Sequence, residues 1–310
     1  WITLYGLNLR TCPMKFSFWP RPTHTYDETK YLAQKVERTG WDGLWLADHF
    51  MPNAQDVSAP WPEALTTLSA IAAVTPRIRL GTLVVGNTYR HPAVLAKMAA
   101  TIDHISNGRM VLGLGAGWQE NEHRKYGIDF FDVPGRLARL EEACKVIKHL
   151  FQNESSTFEG DFYQLAEAPL EPKPVQNPLP LLIGGGGEKV TLRITAQYAD
   201  EWNVWGTVAT LKHKIRVLDE HCERLGRDPK TLRRTAVALV YLTDDTAVAE
   251  KMRNNTQATI AGSVAALQDT VAAYQALGVD ELIVPNFNLR GDAEDVMDQL
   301  IGEVFAPFKT

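Results

Sequence analysis

Cysteine is scarce in this chain. Cys12, Cys144 and Cys222 are the only three among 310 residues, odd in number and far apart. Their spacing matches neither a disulfide framework nor a zinc site, which points to a reducing, cytoplasmic setting. No apolar run reaches the ~18 residues that a membrane-spanning helix needs. The first residues lack the basic head and apolar stretch of a secretory leader. Charge of one sign is not in excess: 32 Lys and Arg stand against 37 Asp and Glu, a net −5. That balance gives no general affinity for nucleic acid or acidic membranes. The chain also has no Gly-x-Ser-x-Gly elbow, no His-Glu-x-x-His and no Gly-x-x-x-x-Gly-Lys loop. Hydrolase and nucleotide-triphosphatase chemistries lose ground accordingly.

What is present is a soluble globular composition, 45% hydrophobic and 22% charged. Short apolar runs alternate with helical stretches. Strands are expected at 15–19, 43–47, 78–85, 110–114, 180–183, 201–204, 235–242 and 281–284. Gly43-Leu44-Trp45-Leu46-Ala47 is apolar without alternation, and Ile78 to Val85, IRLGTLVV, reads as apolar on both faces, as suits strands covered on both sides in a parallel sheet. Between them lie helix signals. Thr25-x-x-Glu28 has the form of a capping box, and Pro92 suits a first helical turn. Leu137, Leu140, Cys144, Ile147 and Phe151 form one stripe of a helix expected over 136–152. A hairpin at 157–165 and a proline-rich link at 169–180 read as short insertions. Eight strand–helix units argue for a single (β/α)8 barrel over 15–310. Residues 1–14 fit that pattern poorly and read as an N-terminal extension.

In a parallel barrel, ligands and reactive groups collect at the C-terminal ends of the strands. There the second strand ends in Asp48-His49. Imidazole titrates near neutrality, so His49 is a candidate proton donor or acceptor, and Asp48 can bond a polar cofactor edge. A structural pair at a strand end is the bland alternative. Metal binding is disfavoured, because adjacent residues rarely reach one ion and no nearby His completes a ligand set. The third strand ends near Asn87, a hydrogen-bonder at the rim or an ordinary turn residue. Gly113-Leu114-Gly115-Ala116-Gly117-Trp118 follows the fourth strand, with Gln119, Glu120, Asn121 and Glu122 beyond it. Its spacing is not the Gly-x-Gly-x-x-Gly dinucleotide fingerprint. Four glycines, Gly184 to Gly187, precede a helix expected to open near Glu188, where bare N–H groups can hold an anion. Trp19, Trp118 and Trp205 fall at or just past strand ends and can line an apolar pocket, whereas Trp45 reads as core.

Taken together, GWDGLWLADHF at 40–50, LGTLVVGNTYRHP at 80–92, IDHISNGRMVLGLGAGWQENE at 102–122, PLLIGGGGEKVTLRITAQYADEWN at 180–203 and GVDELIV at 278–284 resemble the luciferase-like monooxygenase superfamily. More narrowly, they resemble its branch of deazaflavin (coenzyme F420)-dependent oxidoreductases. The resemblance implies a barrel with the deazaflavin at its C-terminal rim. Hydride would pass between the deazaflavin and a small organic substrate, and His49 would supply the proton. It implies cofactor contacts from Asp48, Asn87, Asn121, Gly115, Ala116, Gly185, Gly186 and Gly187. It also implies a non-proline cis peptide against the ring, expected at Val84-Val85. In sugar-phosphate dehydrogenases of this branch a proton-transferring glutamate follows the third glycine. Trp118 stands there instead, which points to a more apolar substrate, with Glu120 two places on as the candidate second acid–base group. FMN in a monooxygenase is the alternative cofactor, and a non-catalytic cofactor-binding protein the second alternative. A homodimer is implied by the resemblance alone.

Overall fold

Eight short strands close into a ring. The computed structural model describes residues 13–287 and 293–309. Its barrel strands are β1 (Lys15–Trp19), β2 (Gly43–Leu46), β3 (Arg79–Thr82), β4 (Met110–Gly115), β5 (Leu181–Gly184), β6 (Glu201–Trp205), β7 (Arg233–Val237) and β8 (Glu281–Pro285). Each pairs in parallel with the next, and β8 returns to β1 with Lys15 opposite Glu281. This is the expected (β/α)8 barrel.

The helices start and stop where local chemistry dictates. The Glu28 N–H donates to the Thr25 hydroxyl at 3.3 Å, and the Thr25 N–H donates to Glu28 Oε2 at 2.7 Å. These bonds satisfy free N–H groups at the start of helix Tyr26–Thr39, and Gly40 ends it at φ 91°. Pro92 opens helix Pro92–Ser106, and Asn107 closes it in the left-handed region. Asp132 caps the long helix Val133–Gln152, three residues ahead of the expected start.

Side chains alternate along each strand. Phe16, Phe18, Leu44, Leu80, Leu112 and Ile183 face the helices and build the large outer core. Trp19, Trp45, Val111, Leu182, Val237 and Ile283 form a separate cluster with Leu83 inside the barrel. Trp45 fits because residue 81 has no side chain: a Cβ at Gly81 would lie 2.3 Å from its ring. The N-terminal end of the barrel is closed by charge. Glu201, Arg233 and Glu281 begin β6, β7 and β8, and Arg79 begins β3. Glu281 accepts from Arg79 at 2.9 Å, Arg233 at 3.0 Å and Trp45 Nε1 at 3.0 Å, and Arg79 also pairs with Glu201. Buried charges persist when paired and hydrogen-bonded in this way.

Several expected elements differ. The third strand stops at Thr82, because the peptide between Leu83 and Val84 is cis. The cis bond therefore lies one residue before the expected Val84-Val85. The chain resumes as a two-residue strand, Val85–Gly86, beside Leu114 and Gly115. The expected strand at 235–242 divides after Val237. Its second half, Leu239–Leu242, leaves the ring to pair with Thr259–Gly262, which the apolar pattern did not mark. The polar residues after Trp118, for which no element was expected, form a short helix over Glu120–Tyr126. The helix after the four glycines starts at Thr191, not near Glu188, and the last helix passes into a π turn at Leu300–Val304. The antiparallel hairpin is present as Ser155–Glu159 with Gln164–Pro169. Most of the extension expected at 1–14 lies outside the described residues. Met14 is buried, and its N–H donates to the Phe308 carbonyl at 2.8 Å. No helix among the described residues is long and apolar enough to cross a membrane.

Candidate active site

A cavity of about 980 Å³ opens at the C-terminal ends of the strands. Trp19, Asp48, His49, Val84, Val85, Gly115, Ala116, Trp118, Gly185, Gly186 and Trp205 line it, so eleven residues expected from far-apart segments meet there. Trp61 also lines it, and so do Tyr89, Phe287 and Gln257, which were not anticipated. Phe287 had a signal, since it lies two residues past the end of β8, where functional groups are expected. Asn87, Asn121, Gly187 and Glu120 are not on the wall. Asn87 donates to the Tyr163 hydroxyl at 3.2 Å, and Asn121 to the Pro52 carbonyl at 2.9 Å.

The β3 bulge is built by three strands. Thr82 Oγ1 exchanges hydrogen bonds with Gly113, donating to its carbonyl at 2.9 Å and accepting from its N–H at 3.0 Å. A Cβ at Gly113 would lie 1.9 Å from the Thr82 carbonyl oxygen. A Cβ at Gly115 would lie 2.8 Å from Val84 Cγ2, and one at Gly184 the same distance from Val84 Cγ1. These glycines are therefore required before any ligand arrives, because the bulge occupies the space a side chain would take. At Gly115 and Gly184 the backbone is left open to the cavity by the same absence of side chains.

His49 is held from behind. Its Nδ1 lies 2.8 Å from Glu122 Oε1, and the Phe50 N–H donates to Glu122 Oε2 at 2.8 Å. The Tyr89 hydroxyl donates to Glu122 Oε1 as well. Glu122 is fully buried. Burial pushes its carboxyl up, but the bonds from His49, Phe50 and Tyr89 outweigh burial and bring it below the usual carboxylate range. Glu120, the expected second acid–base group, faces away and pairs with Arg124 at 2.5 Å in solvent. Two residues along a helix is about 200° around its axis, so the two glutamates occupy opposite sides. The seven-residue helix has no apolar stripe from which that phase can be read.

Asp48 is not free to take a ligand as a lone acceptor. Arg90 grips it with two bonds, Nη1 to Oδ2 at 2.7 Å and Nη2 to Oδ1 at 3.0 Å, and also reaches Glu63 Oε1 at 2.5 Å. Burial pushes the Asp48 carboxyl up, against the pull of the Arg90 guanidinium. Aromatic rings form another part of the wall. Trp19 lies 5.8 Å from Trp205 and 4.9 Å from Phe287 between ring centres. Trp118 stands edge-on to His49 at 5.3 Å and is 61% exposed, so it borders the mouth. Among the described residues no group of three or more His, Cys, Asp and Glu can hold a metal ion.

Several known proteins resemble this chain. The chain is 38% identical over 169 residues to an F420-dependent glucose-6-phosphate dehydrogenase of Amycolatopsis mediterranei (strain U-32), covering 54% of this chain and 48% of that protein. It is 41% identical over 161 residues to an F420-dependent glucose-6-phosphate dehydrogenase of Kineococcus radiotolerans (strain ATCC BAA-149 / DSM 14245 / SRS30216), covering 52% and 47%. The match thus spans about half the length of these curated relatives. Among solved structures, an F420-dependent secondary alcohol dehydrogenase in complex with an F420-acetone adduct superposes with a TM-score of 0.82 at 20% identity, covering 94% of this chain and 99% of that one. That likeness shows the fold. The family profile described as luciferase-like monooxygenase matches residues 11–303, and on that match the chain belongs to the luciferase-like monooxygenase family.

Proposed function

We propose that this protein is a coenzyme F420-dependent oxidoreductase acting on a small, uncharged organic substrate. One observation carries the reading: His49 and the Leu83–Val84 bulge border the same cavity, and the side-chain-free turn Gly184–Gly186 forms another part of its wall. The residues fit a flat tricyclic ring with an anionic tail. Val84 offers an apolar surface to a ring. Gly185 and Gly186 present backbone with no Cβ to block a phosphate. The 980 Å³ cavity is at the upper end of the usual size for a cofactor site. When bound, the deazaflavin supplies the ring carbon that accepts or releases hydride. The chain orients both reactants, excludes water with its tryptophans, and moves a proton at His49 Nε2, the ring nitrogen left over by Glu122.

The charged groups on the wall argue for an uncharged substrate. Among the described residues these are Arg21, Asp48 and His49. Arg21 donates to the carbonyls of Asn286 and Phe287 at 3.2 and 3.1 Å, and Asp48 is held by Arg90. No lysine stands among the described lining residues to meet a sugar phosphate. A homodimer and a reducing cytoplasmic setting belong to the same reading. The setting is supported by the two free, buried thiols of Cys144 and Cys222.

Fluorescence titration of the purified protein with deazaflavin and with FMN tests the cofactor. Saturable deazaflavin quenching at micromolar or lower concentration is expected, and FMN binding with none for the deazaflavin would overturn the reading. Deazaflavin reduction is then followed with small secondary alcohols and with glucose 6-phosphate. Faster turnover of the sugar phosphate would refute the assignment of substrate class.

A further inference from the structure

We infer that Glu122, steadied by Tyr89, is the positioning residue that sets which nitrogen of His49 faces the reaction. The geometry is specific. A carboxylate lacking protons can only accept, so at 2.8 Å it requires hydrogen on His49 Nδ1. The lone pair, or the exchangeable proton, is then on Nε2, on the cavity side. Neither oxygen of Glu122 has freedom to turn. Oε2 is bound by the Phe50 N–H at 2.8 Å, and Oε1 takes the Tyr89 hydroxyl as well as His49. Tyr89 is itself fixed, with its ring against the bare backbone of Gly86: a Cβ there would lie 2.5 Å from Tyr89 Cε2.

The other charged groups near His49 do not compete for this task. Asp48, its neighbour in sequence, is occupied by Arg90, which also holds Glu63. Trp118 carries no charge and meets the imidazole only in a T-shaped ring contact. Glu122 is therefore the one anion, among the described residues, in hydrogen-bond contact with the imidazole.

The inference rests on the oxidoreductase reading, and the balance is simple. In alcohol oxidation a bound, oxidised deazaflavin would supply the acceptor for the carbon-bound hydrogen and its electron pair. The O–H bond breaks, its proton passes to His49 Nε2, and the carbonyl forms. The imidazolium so produced lies against the Glu122 carboxylate. Reduction runs the same steps backwards. Glu122 gains no bond to substrate at any stage. It acts by fixing the tautomer and by facing the positive charge that develops.

The test has a readout that needs no cofactor. Nitrogen NMR of the histidine-labelled full chain, with His49 assigned by its loss in His49→Asn, reports the tautomer directly. The native protein is expected to hold hydrogen on Nδ1. In Glu122→Gln that preference should be lost. Hydrogen on Nε2 in the native protein overturns the inference whether or not any variant folds. An unchanged tautomer in Glu122→Gln overturns it too. With cofactor, Glu122→Gln should lose about 10²–10⁴-fold in kcat while deazaflavin Kd stays within about twofold. Tyr89→Phe leaves the carboxylate in place, so it should keep the Nδ1 proton and lose less than tenfold. A kcat loss below threefold in Glu122→Gln, or a Tyr89→Phe loss as large as that of Glu122→Gln, refutes the assignment. A native protein with the expected tautomer but no deazaflavin binding would sink the oxidoreductase reading alone, and the two failures stay distinguishable.

Discussion

Replacing Glu281 with Gln should destabilise the barrel without touching the cavity. Glu281 is fully buried and accepts from two guanidiniums and one indole N–H, all within 3.0 Å. Burial alone would raise its carboxyl, but Arg79 and Arg233 dominate and hold it below the usual range. Glutamine keeps the shape and removes the charge. Arg79 and Arg233 then share only Glu201, and one buried positive charge is left uncompensated. Breaking a buried ion pair in this way costs about 3–5 kcal/mol. With an unfolding entropy of roughly 2.1 cal/mol/K per residue, that corresponds to a Tm lower by roughly 5–8 °C for a chain of this size. The sign with pH follows from the depressed carboxyl. Its contribution is fully present above the ordinary glutamate value of about 4.3 and is lost as pH falls through the lower, folded value. Glutamine does not titrate, so the gap between wild type and variant should close in acid. Thermal unfolding by circular dichroism at pH 7 and at pH 4 and below measures both effects, and deazaflavin titration checks the site. A loss under about 1 kcal/mol at pH 7 would mean that water reaches the cluster and solvates the arginines, and the ion-pair argument would fail.

Other outcomes follow from the site. Gly113→Ala drives a methyl to 1.9 Å from the Thr82 carbonyl; it should cost about 1–3 kcal/mol or more and weaken deazaflavin binding at least tenfold, measured by denaturation and by quenching. Trp118→Ala should leave stability within about 0.5 kcal/mol, because the ring is 61% exposed. It should raise KM for an apolar substrate about fivefold, the worth of roughly 1 kcal/mol of aromatic contact, in steady-state assays. The Glu122 carboxyl is also depressed, so its hold on the Phe50 N–H is present above the ordinary carboxylate value and lost below it, through the folded value. The Phe50 amide resonance should move as pH falls below the ordinary carboxylate value, and a resonance that stays fixed through that range would contradict the assigned network.

The barrel was legible because its signals are local. Uninterrupted apolar runs mark buried parallel strands, and Thr25, Glu28, Pro92 and Asn107 act within one turn of themselves. The cavity wall was legible for the related reason that barrel sites lie where strands end. What stayed hidden depends on phase or on distance. Leu83, Val84 and Val85 are all apolar, so nothing in their order says which peptide bond turns. Glu120 and Glu122 are told apart only by rotation about a short helix. Arg79 and Glu281 are separated by 202 positions, and each looks like an ordinary charge at the start of a strand. Leu239 to Leu242 continues the apolar run of β7, and only the backbone path reveals that it pairs elsewhere.

The close fit around Val84 also governs the order in which this protein can change. Its two methyls are what forbid a side chain at 115 and at 184. With alanine at 84 the nearest remaining atoms to an added Cβ are the residue-84 Cβ, 3.6 Å from position 184, and the Gly184 carbonyl, 3.7 Å from position 115, both ordinary contacts. Val84→Ala therefore opens two neighbouring positions that are closed while it stands. A lineage, or an engineer, that alters 115 or 184 first passes through a clash, and one that alters 84 first does not. The three positions form a historical sequence as much as a structural one, and combinatorial libraries around this cavity should recover Gly115→Ala and Gly184→Ala only on chains that already carry the smaller residue at 84.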